Sequence, residues 1–116
     1  MKRGDVYWAS LSPRSGSEQS GRRPVIILSH DAFNQTTGWR SIIVVPVSTS
    51  AAQARRGPTV VALKPGTAGL PGESSAVCHQ ITTLDRAKLT DKIGVLPADT
   101  LMLVEKALLS AVDIRA

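Results

Sequence analysis

Residues 12–24 read SPRSGSEQSGRRP, set between GDVYWASL at 4–11 and VIIL at 25–28. Two Pro, two Gly and four Ser in thirteen residues forbid a helix interior or a central strand there. The flanks are apolar and strand-like. In the leading one, Val6, Trp8 and Ser10 share one face and Tyr7, Ala9 and Leu11 the other. A connection this long in a small domain is characteristically functional or disordered. This one carries an acid (Glu18), an amide (Gln19) and two adjacent arginines (Arg22, Arg23). Pro24 biases Arg23 to an extended backbone and starts the next strand, expected over residues 24–28. A mobile loop with a cation anchored at its end suits an anionic substrate.

The remaining chain alternates short apolar runs with turn chemistry. Ser29 is expected to cap a helical turn over 30–35, and NQTTG at 34–38 reads as a turn. SIIVVPV at 41–47 reads as a buried strand that Pro46 frays or bulges, presenting Ser48, Thr49 and Ser50 at its end. Residues 51–58 read as a polar loop with Arg55 and Arg56, and 59–63 as a strand. Residues 64–72 (KPGTAGLPG) form a loop. Strand-like SAVCHQI at 75–81 precedes a capped turn over 82–88 and a last strand over 92–96. Pro97 opens the one convincing helix, with Leu101, Val104, Leu108, Ala111 and Val112 on one stripe and Glu105 and Lys106 off it. Many short strands and one terminal helix predict a mainly β, SH3-like small barrel or curled sheet, as one domain over residues 1–116.

Aromatics make up 3% of the 116 residues, so the core must be aliphatic. No apolar run approaches the ~20 residues that span a bilayer, and no apolar signal-peptide core follows the basic start. A soluble cytoplasmic protein without a membrane partner is the simplest reading. The net charge of +5 is uneven: residues 1–58 hold eight basic and three acidic side chains, whereas the rest hold six of each. The excess is mostly arginine, whose planar fork matches phosphate. That points to a nucleic acid as partner, with solubilising surface charge as the alternative. Tyr7 and Trp8 can stack on bases, or serve as core or dimer-contact aromatics.

Several chemistries are excluded. One Cys (Cys78) and two distant His (His30, His79) give no disulfide and no zinc-ligand spacing. No phosphate-binding Gly-rich loop and no GxSxG elbow occurs. Cys78 reads as a buried apolar residue and His79 as a structural strand histidine rather than a general base. Neither a metal nor a cofactor is expected. What remains is chemistry on a phosphodiester whose nucleophile is the RNA 2′-OH. Arg23 can stabilise the phosphorane oxygens. Glu18 can act as base or hold Arg23, and a hydroxyl of Ser48 or Thr49 can bond the phosphate or orient the 2′-OH.

GDVYWASL, LSP, GSEQSGRRPVIILS, FN, VVPVSTS, the late HQI and LTDKIGVLPADTL resemble the MazF/PemK family of toxin–antitoxin endoribonucleases. The resemblance spans essentially the whole chain. It implies an SH3-like fold shared with gyrase-poisoning toxins, a homodimer, and a cognate MazE-like antitoxin whose disordered tail occupies the RNA groove. It also implies metal-independent, sequence-specific cleavage of single-stranded RNA, leaving a 2′,3′-cyclic phosphate and a 5′-OH. The family's catalytic arginine matches Arg23, and its catalytic threonine falls on Ser48, with Thr49 next. Glu18 matches the family's acid. Gln19 and Gln80 match groove positions, and Arg22, Asn34, Arg55 and Arg56 complete the candidate RNA contacts. A gyrase-blocking binding toxin and an inert RNA-binding barrel are the alternative readings.

Overall fold

The structure, a computed structural model, describes residues 1–11, 21–55 and 57–115. Most of the loop expected to be mobile, with Arg14, Glu18 and Gln19, lies outside the described residues, as does Arg56. Among the described residues, seven strands and three α-helices follow in the order β1 (Asp5–Leu11), β2 (Gly21–Ile27), α1 (Asp31–Asn34), β3 (Ser41–Ser48), α2 (Ala51–Ala54), β4 (Val60–Leu63), β5 (Ser74–Val77), β6 (Thr82–Asp85), β7 (Leu89–Val95) and α3 (Ala98–Ala111).

The sheet order is β4-β5-β3-β2-β1-β7, with β6 also paired to β3, and every pairing is antiparallel. Strand β3 is its spine. One edge pairs β2 through Val44, Val45 and Pro46. The other pairs β6 from Ser41 to Val44 and then β5 at Val47 and Ser48. Pro46 lies at this handover, so its missing N–H disrupts no ladder on that edge. The expected irregularity is therefore a change of partner, and the strand itself runs on to Ser48. The edge strands β4 and β7 do not pair with each other, so the mainly β sheet is not closed.

Strand alternation gives the sheet two apolar faces. Val6, Ile26, Val45, Val47, Leu63, Ala76 and Cys78 pack with Val104 and Ala107 of α3. Ala9, Leu11, Val25, Ile27, Ile42, Val44 and Leu84 pack together on the other face, with no helix among the described residues packed over them. Four strands bury that second set almost completely, which requires the sheet to curl onto itself. Helix α3 uses the expected stripe in part. Val104 is buried, Leu101 and Leu108 are partly buried, and Val112 is exposed. Glu105, off the stripe, binds Arg3 Nη1 at 2.6 Å, while Arg3 Nε donates to the Leu28 carbonyl at 3.0 Å. The N-terminus is thus tied to both α3 and the end of β2.

Several expected boundaries shift. Strand β2 begins at Gly21, because Leu11 to Val6 of β1 offer a continuous antiparallel partner back to that residue. Arg22 and Arg23 therefore sit on the strand and not in the loop. His30, not Ser29, caps α1, its Nδ1 accepting from the Ala32 amide at 2.9 Å. Residues 51–54, expected as loop, form α2 because Ser50 caps them. The strand expected over 75–81 ends at Val77, where the chain turns through a 3₁₀ segment, Cys78–Gln80, and crosses from β5 to β6. The turn expected over 82–88 begins as a strand, β6, with only Arg86–Lys88 forming a 3₁₀ turn capped by Asp85. The last strand starts early, at Leu89, along the free edge of β1.

Loop 64–72 is pinned to β7 by backbone contact. A Cβ on Gly94 would stand 2.3 Å from the Ala68 carbonyl oxygen, and one on Gly69 (φ +80°) 2.8 Å from the Ile93 carbonyl oxygen. Only glycines permit this approach. Gly94→Ala is expected to lose about 1–3 kcal/mol of stability in urea unfolding. Gly72→Ala, with nothing within 4 Å of its added Cβ, should stay within about 0.5 kcal/mol.

Two carboxyls clasp chain segments. Asp31 is held below its ordinary 3.8 by the Arg3 amide and the Asn34 amide group, and Asp85 below its ordinary 3.8 by Arg40 and the Ala87 amide. Each adds stability that is present above 3.8 and is lost as the pH falls through its lower folded value. Thermal melts taken from neutral pH downward should therefore lose Tm below that range, and Asp31→Asn and Asp85→Asn should each flatten the loss.

Candidate active site

The register of β2 on β3 pairs Val25 with Pro46 and Ile26 with Val45. That pairing ends there: beyond it Arg23 and Arg22 pair with Ala9 and Ser10 of β1, and Ser48 pairs with Ser75 of β5. Alternation along β2 sets Arg23 on the face opposite Arg22 and Pro24, and along β3 sets Ser48 on the face opposite Val47. The two hydroxyls after the spine strand thus differ. Ser48 is buried, and its Oγ accepts from the Ser50 amide at 3.0 Å, which leaves its proton free to donate. Thr49 is exposed. Ser50 is spent on capping α2, its Oγ accepting from the Gln53 amide at 3.4 Å.

Two cavities meet at this point. The smaller, about 190 Å³, is lined by Trp8, Arg22, Arg23, Pro24, Val47, Thr49, Leu70, Pro71, Gly72 and Ser74. The larger, about 340 Å³, is lined by Ser48, Thr49, Ser50, Ala51, Ala54, Arg55, Ala62, Glu73, Ser74 and Ser75. The first is mainly apolar apart from its arginines, and the second is rich in hydroxyls. The pinned loop 64–72 supplies Leu70, Pro71 and Gly72 to the smaller cavity, so the Gly94 contact fixes one of its walls.

Arg22 is oriented from two sides. Its guanidinium carbon stands 4.3 Å from the Trp8 ring centre, and Nη2 is 3.4 Å from Asp91 Oδ2. Both partners of the ion pair are largely exposed, so Asp91 steers the arginine more than it neutralises it. Trp8 acts as the stacking surface for a cation.

The expected site residues divide clearly. Arg22, Arg23, Ser48, Thr49 and Arg55 are brought together around the two cavities. Asn34 is not: it is 2% exposed, accepts from Ser29 Oγ, and donates to the Ser29 carbonyl at 2.7 Å and to Asp31 Oδ1 at 3.0 Å. The NQTTG reading saw turn chemistry at Asn34 but not that its amide is consumed inside α1. Gln80 is half-buried in the 3₁₀ segment between β5 and β6 and lines neither cavity. Glu18, Gln19 and Arg56 lie outside the described residues. Sequence reasoning passed over Ser74 and Glu73, whose only signal was their place directly after the Gly/Pro-rich loop.

Cys78 is a poor nucleophile on physical grounds. Burial pushes the Cys78 thiol up to about 12, and its Sγ lies within 3.8 Å of the Ala76 carbonyl and 3.7 Å of the Val104 carbonyl. A thiol so placed is not a thiolate at neutral pH. His79 Nδ1 is 2.7 Å from Thr59 Oγ1, a contact that ties the 3₁₀ segment to the start of β4. Among the described residues, no three His, Cys, Asp or Glu side chains group as a metal site requires. No described helix is long and apolar enough to cross a membrane.

The described residues form an open antiparallel sheet with a C-terminal helix and a cavity pair at the end of its spine strand, a small mainly β fold. A solved mycobacterial endoribonuclease in complex with its cognate antitoxin superposes with a TM-score of 0.79 at 28% identity, covering 100% of this chain and 98% of that one. MazF from Deinococcus radiodurans gives 0.77 at 31% identity, covering 97% and 96%. Endoribonuclease EndoA of Bacillus subtilis is 38% identical over 108 residues, 93% of this chain and 90% of the relative. Endoribonuclease MazF6 of Mycobacterium tuberculosis is 34% identical over 114 residues, 98% of each. The profile of the PemK-like, MazF-like toxins of type II toxin–antitoxin systems matches residues 2–112, and the chain belongs to that family.

Proposed function

We propose that this toxin is an endoribonuclease that cleaves single-stranded RNA without a metal ion. The observation that carries the reading is that Arg23 in the smaller cavity and Ser48 in the larger flank Thr49, which lines both. In the reaction the 2′-oxygen bonds to phosphorus while the bond to the 5′-oxygen breaks. The products are a 2′,3′-cyclic phosphate and a 5′-OH, and growth is inhibited through loss of message. Arg23 stabilises the phosphorane oxygens and, in close contact with the leaving oxygen, delivers its proton. Ser48, lining the larger cavity, donates to the phosphate or orients the 2′-OH, with Thr49 beside it. Glu18 serves as base or holds Arg23, and Gln19, Arg22, Arg55 and Arg56 contribute contacts along the strand.

The protein acts in the cytoplasm as a homodimer neutralised by a MazE-like antitoxin. The basic N-terminal half supports an RNA partner, since phosphate contacts dominate such binding. Relatives named as endoribonucleases, one solved with its antitoxin, support both the activity and the partner.

The test incubates the protein in excess EDTA with a mixed-sequence single-stranded RNA and a matched DNA, with product ends mapped by sequencing. Cuts in RNA alone, at one short recurring motif, are expected. Arg23→Ala should lower kcat by about a hundredfold or more, the usual cost of one lost oxyanion donor, with the fold retained. Ser48→Ala should cost more than Thr49→Ala. Cleavage by Arg23→Ala at the wild-type rate sinks the assignment, and RNA bound but never cut would favour an inert barrel.

A further inference from the structure

Ser74 is 6% exposed, and its Oγ has no hydrogen-bond partner among the described residues. A buried hydroxyl left without a partner is costly and rare. Its backbone is rigid: Ser74 opens β5, in register with Leu63 of β4. Ser74 and Thr49 are the two residues that line both cavities. Any ligand continuous from one cavity to the other must cross between them. On one side of the crossing lies Arg23, on the other Ser48.

The geometry points to Ser74 as a substrate-binding residue whose hydroxyl donates to a non-bridging oxygen of the phosphodiester at the crossing. This rests on the reading of the site as one for single-stranded RNA and deepens it. A nucleic acid strand alternates bases with charged links, and the two cavities have that alternation. The smaller, mainly apolar one holds a base between Pro71 and the stacked Trp8–Arg22 pair. The larger holds the neighbouring nucleoside among hydroxyls, with Glu73 at its rim able to accept from a base amino group. The link between the two nucleosides then lies over Thr49 and Ser74. The free protein keeps Ser74 unsatisfied so that the bond is made only when RNA is bound.

A purely structural serine and a substrate-binding one behave in opposite ways when truncated. Removing a hydroxyl that bonds nothing in the free protein should leave Tm unchanged or raise it. The experiment uses wild type, Ser74→Ala and Ser74→Cys, the last keeping the size with a poor donor. Each is melted, and each is titrated against a fluorescent mixed-sequence pool of single strands built wholly of 2′-fluoro ribose, which lacks the nucleophile. Wild type is expected to bind, and both variants to bind about tenfold more weakly, as for a hydrogen bond to a charged group, with Tm held. Equal affinity of wild type and both variants overturns the role of Ser74 alone. A marked fall in Tm for both variants also overturns it, since the hydroxyl would then be structural. Absence of binding by wild type overturns it together with the reading of the site as an RNA site.

Discussion

Everything in this fold depends on β3 having more partners than a strand has edges. It gives one edge to β2 and divides the other between β6 and β5. The edge is divided at Val45 and Pro46, and Pro46 has no N–H to leave unpaired there. The division lets β4 and β5 turn away from the main sheet, and the space opened at the end of β3 becomes the two cavities. Burial reinforces the arrangement. Val44 and Val45 are fully buried on opposite faces, so a one-residue slip of β3 would exchange two packed sets of side chains. The site is therefore as well defined as the core, because the same register sets both.

Most of the architecture is legible in the residues. The alternation of GDVYWASL, the unbroken VIIL and the run before Pro46 specify β1, β2 and β3, and Pro97 with its apolar stripe specifies α3. The boundaries that moved did so for tertiary reasons. Arg22 and Arg23 look like loop because they follow Gly and Ser, yet β1 holds them as strand through ladder bonds that local propensity does not contain. CHQ looks like strand because its residues alternate, yet the chain must leave β5 for β6 at that point and coils instead.

The site was partly legible for a related reason. Arginine next to Pro and a run of hydroxyls after a buried strand are local signals, and both lead to the cavities. Asn34 carried an equally plausible local signal, but its amide satisfies α1 from within. Ser74 carried almost none, since one serine after a Gly/Pro-rich loop resembles many others. What sets it apart is an absence of partners, which only the packed chain reveals.

The chain holds a single cysteine, and it sits fully buried where α3 lies on β5. Its thiol faces one carbonyl from each of those elements. Reagent can reach Cys78 only when the helix lifts from the sheet or the whole domain opens. The molecule thus carries its own clock for opening at the seam between helix and sheet, read by the rate of thiol labelling and needing no engineered probe. Because both cavities draw walls from β4 or β5, that clock also reports how often the floor of the site loosens, in free protein and with a ligand in place.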